Sequence, residues 1–171
     1  MIQMILAKKS RASSKTLISI LRSRYPDIVI KYNSYGKMLI SHQRLFVSIS
    51  HSGEYIVMCY ATMDIGIDIQ KVKKKNNEFM EYVTGDSAIT EEEFTKIWSI
   101  KESFVKLLGL GWSNNEPEDV QIDFSNNCVL LENRKGYFSC FKLKNNYFIS
   151  VCCYEPIQTQ RVRIRWEIEY L

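Results

Sequence analysis

Three short stretches of this chain carry side chains that could do chemistry on a charged substrate. The first, residues 65–70, reads Ile-Gly-Ile-Asp-Ile-Gln. A strand with this alternation places its three isoleucines on one face and Gly66, Asp68 and Gln70 on the other. A carboxylate and an amide oxygen on one strand face can reach the same cation, beside a glycine that leaves the backbone bare. The stretch therefore predicts half of a metal site.

The second stretch belongs to the clearest predicted helix of the chain. Thr90 and Glu93 form a capping box at its start, and an apolar stripe continues from there to residue 108. At the helical step of about 100° per residue, Lys101 lies on the inward side, and Glu102 and Lys106 stack one turn apart on its flank. An inward lysine needs an anion to meet it, or it must extend its ammonium group to solvent.

The third stretch is the end of a strand. Residues 45–50 and 55–61 read as a hairpin, which places Ser50 and His51 where functional polar groups often gather. Lys37 follows an earlier turn at residues 33–36. A lone histidine in such a turn is more often structural than catalytic, so these residues do not define a site by themselves.

Together these side chains indicate magnesium and phosphate chemistry. Oxygen ligands in a chain with two histidines favour magnesium over zinc. Lysines beside a magnesium site suggest phosphates, because magnesium commonly joins one or two carboxylates to the phosphate oxygens of a substrate. Phosphoryl-type transfer then depends on positioning and charge neutralisation more than on covalent help.

The elements that must position these residues predict a mixed α+β protein. The chain has 171 residues, of which 46% are hydrophobic, and this is enough to bury a core as one compact unit. Short strands separated by turns fill the sequence after residue 120, which favours antiparallel sheets. No apolar run reaches the roughly 20 residues that span a bilayer, so we expect no membrane partner and a cytoplasmic location.

Cysteine and charge content narrow the class of protein further. The five cysteines show no C-x-x-C spacing, which argues against a disulfide framework or a zinc site and favours buried reduced thiols. The formal net charge of +4 favours an anionic ligand or partner. Lysines at positions 71 and 73–75 directly follow the first stretch, and such a run is often only a solvated loop.

Three motifs, taken in order, resemble one family. Residues 47–52 read Val-Ser-Ile-Ser-His-Ser, residues 65–70 read Ile-Gly-Ile-Asp-Ile-Gln, and residues 98–106 read Trp-Ser-Ile-Lys-Glu-Ser-Phe-Val-Lys. They are similar to the signature motifs of 4′-phosphopantetheinyl transferases of the surfactin-synthetase-activating type. The resemblance implies two similar α+β halves with antiparallel sheets and packed helices, related by a pseudo-two-fold axis. On this basis we expect a shortened first half at residues 1–64 and a second half, with the metal-binding motifs, at residues 65–171.

The resemblance also implies a reaction: transfer of the 4′-phosphopantetheine group of coenzyme A to a serine of an acyl or peptidyl carrier protein, with release of 3′,5′-ADP. The chain would then be a holo-carrier-protein synthase. The residues that match the motifs take the following implied roles. The magnesium ligands are Asp68, Gln70 and Glu102; the catalytic residues are Asp68, Glu102 as candidate base, and Lys106; the coenzyme A ligands are Lys37, Ser50, His51, Lys101 and Lys106.

Two departures from the family pattern bear on this interpretation. Many members have Glu where this chain has Gln70, so the third ligand would be a neutral amide oxygen or a water-mediated contact. Members of this type are also commonly longer, and the stretch before Lys37 is short. Fewer basic residues would then contact the nucleotide end of coenzyme A.

Two other functions are compatible with parts of the sequence. A basic nucleic-acid-binding module would use the lysine run at residues 73–75, but it explains neither Asp68 nor Glu102. Another magnesium-dependent phosphoryl-transfer enzyme, such as a nuclease, would use the same ligands but has no need of Ser50 and His51. We therefore expect a monomer without a nucleic-acid partner, whose lysine loop docks an acidic carrier protein.

Overall fold

Two β-sheets meet edge to edge near the middle of the chain, and the longest helix packs across one of them. The computed structural model describes residues 1–41, 45–112, 116–144, 146–157 and 162–166. The helices are α1 (Ser14–Arg24), α2 (Asn77–Thr84) and α3 (Glu91–Leu108), and a 3₁₀ turn covers Pro117–Asp119. The strands are β1 (Ile2–Lys8), β2 (Ile30–Tyr32), β3 (Met38–Ile40), β4 (Phe46–Ser52), β5 (Tyr55–Ala61), β6 (Ile65–Lys71), β7 (Gln121–Asp123), β8 (Cys128–Leu131), β9 (Arg134–Leu143), β10 (Tyr147–Cys153) and β11 (Val162–Trp166).

The strand order confirms the predicted mixed α+β architecture. The first sheet has the order β11-β1-β5-β4, and the second has the order β6-β10-β9-β8-β7. Strands β2 and β3 form a separate two-stranded sheet. Among the described strands, the pairings are antiparallel except that of β1 with β11, and the predicted hairpin is β4 paired with β5. Strand β11 thus joins the sheet that otherwise contains strands from before residue 64. The division into halves at residue 64 stays a prediction.

Alternating serines on β4 join the two sheets. The hydroxyl oxygens of Ser48, Ser50 and Ser52 accept hydrogen bonds from every second backbone N–H of β6. The donors and their distances are Ile67 at 3.1 Å, Ile69 at 3.4 Å and Lys71 at 3.0 Å. These side chains satisfy donors that an unpaired strand edge would otherwise leave open. The seam therefore sets β4 against β6, at the predicted metal stretch.

Helix α3 comes unusually close to β6 at Gly66. A Cβ atom added to Gly66 would lie 2.0 Å from the carbonyl oxygen of Ser103 and 2.5 Å from the backbone nitrogen of Leu107. Only a residue without a side chain permits such an approach of two backbones. The isoleucines of β6 are fully buried in the core on the other face, as their alternation predicts.

The ends of α3 agree with their sequence signals. Thr90 and Glu93 form the predicted capping box, and the helix ends at Gly109, which has a φ of 71°. No helix in the described ranges combines the length and the apolar character that a membrane span requires. The five cysteines are free thiols, as predicted, and Cys140 is less buried than the other four.

Candidate functional site

The centre of the site is a cluster formed by the buried Asp68 and Ser50 with the half-buried Lys106. The Asp68 side chain is on the polar face of β6 and is 1% exposed. Its Oδ1 accepts hydrogen bonds from the Ser50 hydroxyl at 2.7 Å and from the Lys106 ammonium at 2.6 Å. Lys106 also donates to the Ser50 oxygen at 2.9 Å. The sheet seam and helix α3 therefore bring three of the predicted site residues into one hydrogen-bonded group.

Gln70 completes the hydrogen bonding of the same carboxylate. Its Nε2 donates to Oδ2 of Asp68 at 2.9 Å, so each oxygen of Asp68 has a donor. In this arrangement the amide group of Gln70 supports the Asp68 charge through its nitrogen. Its predicted role as a ligand, which needs the amide oxygen, stays a prediction.

Glu102 faces this cluster from helix α3, one turn before Lys106. Burial raises the pKa of Glu102, and the negative charge of Asp68 raises it further. A hydrogen bond from the indole nitrogen of Trp112 to Oε1, at 2.9 Å, acts in the opposite direction, as does the charge of Lys106. Both effects stabilise the ionised carboxylate.

The donor set is chemically suited to magnesium. Two carboxylates and one amide offer only oxygen ligands, and magnesium commonly needs only one or two carboxylates from a protein. The side chains that the structure describes contain no cluster of three or more His, Cys, Asp or Glu residues. A metal here would therefore depend on Asp68 and Glu102 for its anionic ligands, and the Lys106 ammonium now pairs with one of their oxygens.

A cleft of about 270 Å³ opens beside the cluster and holds further predicted ligands. Lys37, His51 and Lys106 all line it. The Nζ of Lys37 donates to the carbonyl oxygen of Leu107 at 2.6 Å, near the C-terminus of α3, and lies 3.5 Å from Oδ1 of Asp64. His51 is exposed on β4. Lys37 and Lys106 give the cleft the positive lining that phosphate oxygens require.

Lys101 is not brought into this cleft. Its ammonium group is buried and donates to the carbonyl oxygens of Val83 and Pro117, both at 2.7 Å. Burial lowers the pKa of Lys101 to about 8, against the opposing effect of Asp119 and Glu118. Backbone carbonyls, not the anion of a ligand, therefore meet this inward lysine. Lys101 thus lies outside the cleft, and its predicted contact with coenzyme A stays a prediction.

Two features of the site were not predicted from the sequence. Ser48 and Ser52 share one face of β4 with Ser50, and the Ser-x-Ser-x-Ser alternation was a readable signal for this. Trp112 contacts Glu102 from beyond the end of α3, and no periodicity or motif marks it. Only the return of the chain after Gly109 makes that contact possible.

Comparisons with known proteins show which family this chain resembles. A family model described as "4′-phosphopantetheinyl transferase superfamily" matches residues 64–152, which include β6, α3 and all of β10 but its last residue. The chain is 29% identical over 107 residues to the 4′-phosphopantetheinyl transferase gsp of Aneurinibacillus migulanus, covering 57% of this chain and 45% of that protein. It is 32% identical over 98 residues to the 4′-phosphopantetheinyl transferase Sfp of Bacillus subtilis strain 168, covering 51% and 44%.

A third relative aligns over more of the chain. The 4′-phosphopantetheinyl transferase psf-1 of Bacillus pumilus is 24% identical over 161 residues, covering 81% of this chain and 66% of that protein. In the first two matches, this chain spans slightly less than half the length of its relatives.

Proposed function

We propose that this chain, which belongs to the 4′-phosphopantetheinyl transferase superfamily, transfers the 4′-phosphopantetheine group of coenzyme A to a serine of an apo-carrier protein. The observation that carries the proposal is the cluster of Asp68, Ser50 and Lys106 beside Glu102, at the edge of a cleft lined by Lys37 and His51. Two relatives that align with part of this chain, gsp and Sfp, are named 4′-phosphopantetheinyl transferases. The product besides the holo-carrier is 3′,5′-ADP.

The protein side chains divide the work of the transfer. The carrier serine oxygen attacks the phosphorus that bears the pantetheine arm; the pyrophosphate P–O bond breaks, and 3′,5′-ADP leaves with the electron pair. Glu102 takes the serine proton, directly or through water. Lys106 neutralises the charge that develops on the leaving phosphate. Lys37, Ser50 and His51 hold the phosphates and the nucleotide end.

Magnesium bound by Asp68 and Glu102, with Gln70 as third ligand, would neutralise the pyrophosphate charge. For ligation, Gln70 must present its amide oxygen, whereas in this structure its amide nitrogen donates to Asp68. The amide contributes no charge in either orientation. Asp68 and Glu102 must therefore supply the negative charge of the site.

The lysine loop after β6 is the proposed docking surface for an acidic carrier. Residues 73–75 are all lysine, and they follow directly from the strand that carries Asp68. Because exposed charges are screened over roughly 8 Å at physiological salt, carrier affinity should fall as salt rises. Salt-independent affinity would remove this part of the proposal.

We also propose that the protein acts as a monomer in the cytoplasm, in two halves that share the site. One copy supplies every side chain named above, and its five free thiols suit a reducing compartment. The nucleic-acid-binding alternative leaves Asp68 and Glu102 without a role, and no observation favours it.

The decisive experiment incubates the protein with coenzyme A, magnesium and a panel of apo-carrier proteins, and weighs each carrier by mass spectrometry. The proposal expects the mass of at least one carrier to rise by one phosphopantetheine group. Asp68→Ala and Glu102→Ala should abolish the change, and Gln70→Ala should slow it less. A carrier mass that stays constant across a broad panel would contradict the proposed function, and equal losses for Gln70→Ala and Asp68→Ala would favour direct ligation by the amide.

A further inference from the structure

Trp112 lies outside the three motifs, yet it contacts Glu102 directly. Its indole Nε1 donates to Oε1 of Glu102 at 2.9 Å. Helix α3 ends at Leu108, and Gly109 turns the chain in the left-handed region with a φ of 71°. That turn allows the chain to return along the helix, so that a residue after the helix reaches a carboxylate about two turns before its end.

The Trp112 ring is held by a column of stacked aromatic rings. It stacks on Trp98 with a centroid separation of 5.4 Å and an interplanar angle of 18°. Trp98 in turn stacks on Phe94 at 6.3 Å and 8°, and Phe79 of α2 packs edge-on against both. The indole of Trp112 is therefore the last ring of a supported stack.

The column and the carboxylate share one ridge of helix α3. Phe94, Trp98 and Glu102 are each four residues apart, which is the spacing of side chains that stack along one helix face. The two aromatic members of this ridge are Phe94 and Trp98. Stacking on Trp98 holds the indole of Trp112 beside the next member of the ridge, which is Glu102. The indole N–H thus meets the carboxylate from a direction that ring packing determines.

We propose that Trp112 is a positioning residue that orients the Glu102 carboxylate toward the site. The inference deepens and rests on the proposed function, because it assigns the two oxygens of Glu102 different tasks. Oε1 accepts the indole N–H, and Oε2 takes the serine proton or the metal ion. A glutamate side chain has three rotatable bonds and can therefore adopt many conformations. A fixed donor on one oxygen favours the conformation that reacts, so less side-chain entropy is lost when the transition state forms.

The matched pair of variants is Trp112→Phe and Trp98→Phe. Trp112→Phe keeps an aromatic ring on the stack and removes only the N–H donor to Glu102. Trp98→Phe makes the same change on the neighbouring ring, which stacks but has no bond to Glu102 in the contacts described here. Any loss that comes from ring packing should therefore appear in both variants.

The first measurement is independent of activity. The chain has three tryptophans, so its ¹H–¹⁵N spectrum has three indole signals, and Trp112→Phe identifies the signal of Trp112. Glu102→Ala should move this signal upfield, because it removes the acceptor, and should leave the Trp98 signal close to its original position. A Trp112 signal that moves no more than that of Trp98 would overturn the contact.

The second measurement separates orientation from substrate binding. Removing an outer partner of a ligating carboxylate commonly costs about 10- to 100-fold in activity or metal affinity. We expect Trp112→Phe to lower kcat and Mn²⁺ affinity, the latter measured by electron paramagnetic resonance without coenzyme A, within this range. The KM for coenzyme A should change less than about twofold, because the Trp112→Phe substitution removes no contact with the substrate.

These measurements distinguish a failure of the Trp112 inference from a failure of the proposed function. If the wild-type protein modifies no carrier, the proposed function fails, and the indole spectrum and Mn²⁺ affinity still decide whether Trp112 holds Glu102. If the wild type is active and Trp112→Phe matches it in kcat and Mn²⁺ affinity, the inference is wrong. Equal losses in Trp98→Phe and Trp112→Phe would also overturn it, since ring packing would then explain both.

Discussion

Replacing Gly66 by alanine should separate helix α3 from strand β6 and break the candidate site. The added Cβ would lie 2.0 Å from the Ser103 carbonyl oxygen and 2.5 Å from the Leu107 nitrogen. Both atoms belong to the backbone of α3, so no side-chain rotation can relieve the contact. The helix itself must move.

The size of that movement follows from the structure. Ordinary contact begins near 3.4 Å, so the Ser103 carbonyl must move back by about 1.4 Å. Lys106 is adjacent to Leu107 on the helix, and Asp68 is two residues from Gly66 on the same strand face. If the helix moves as a rigid body directly away from the strand, the 2.6 Å contact between Lys106 and Asp68 lengthens to about 4 Å, beyond hydrogen-bond range.

The assay is carrier modification followed by mass spectrometry, together with thermal and urea unfolding. A displacement of this size commonly costs about 100-fold in rate, and overpacking a core costs about 1–3 kcal/mol of unfolding free energy. We therefore expect Gly66→Ala to lose about 100-fold in kcat/KM for the carrier, measured where the variant is still fully folded.

Gly136→Ala is the matched control, because Gly136 lies on strand β9 and faces the same helix α3. Its added Cβ would meet ring atoms of Phe104 at 2.8 and 2.9 Å, so a side chain and not the helix backbone can shift. It should lose unfolding free energy with activity retained in the folded protein. If Gly66→Ala were folded and kept kcat/KM within about threefold of wild type, the argument that this close approach assembles the site would be refuted.

Three further predictions concern the elements around the site. Lys101→Met should lower the unfolding free energy by about 1–3 kcal/mol, because two buried carbonyls lose their donor, and should leave the KM for coenzyme A unchanged; unchanged stability with a raised KM would instead support a coenzyme contact. Ser48→Ala leaves a buried β6 N–H without its acceptor, so urea unfolding should show a loss of about 1–3 kcal/mol, larger than that of the more exposed Ser52→Ala; equal losses would argue against the seam. Burial raises the pKa of the Cys59 and Cys152 thiols, which keeps both protonated at neutral pH, so iodoacetamide should label them only after unfolding, and rapid labelling of the native protein would contradict their burial.

Local periodicity was sufficient to predict the elements that carry the site. The alternation of residues 65–70 placed Asp68 and Gln70 on one face of a strand, and the capping box placed the start of α3 correctly. The helical step placed Glu102 and Lys106 on one flank. These inferences succeed because they depend on the geometry of a single strand or helix, which neighbouring residues determine.

The tertiary structure decided which of these side chains meet. Lys101 was correctly placed on the inward side of α3, but its partners are carbonyls of Val83 and Pro117, which lie 18 and 16 residues away in sequence. The contact of Trp112 with Glu102 likewise depends on how the chain returns after Gly109. No local pattern specifies such partners, because they depend on the packing of several elements at once.

The sequence by itself therefore determined the polar face of β6, the polar flank of α3 and their resemblance to one family. The tertiary structure determined that Ser50 and Lys106 share an oxygen of Asp68, through the serine seam and the close approach at Gly66. The physical reason is the range of the forces involved. Side-chain direction within a strand or helix is a local property, whereas the separation of two elements depends on the long-range packing that brings them together.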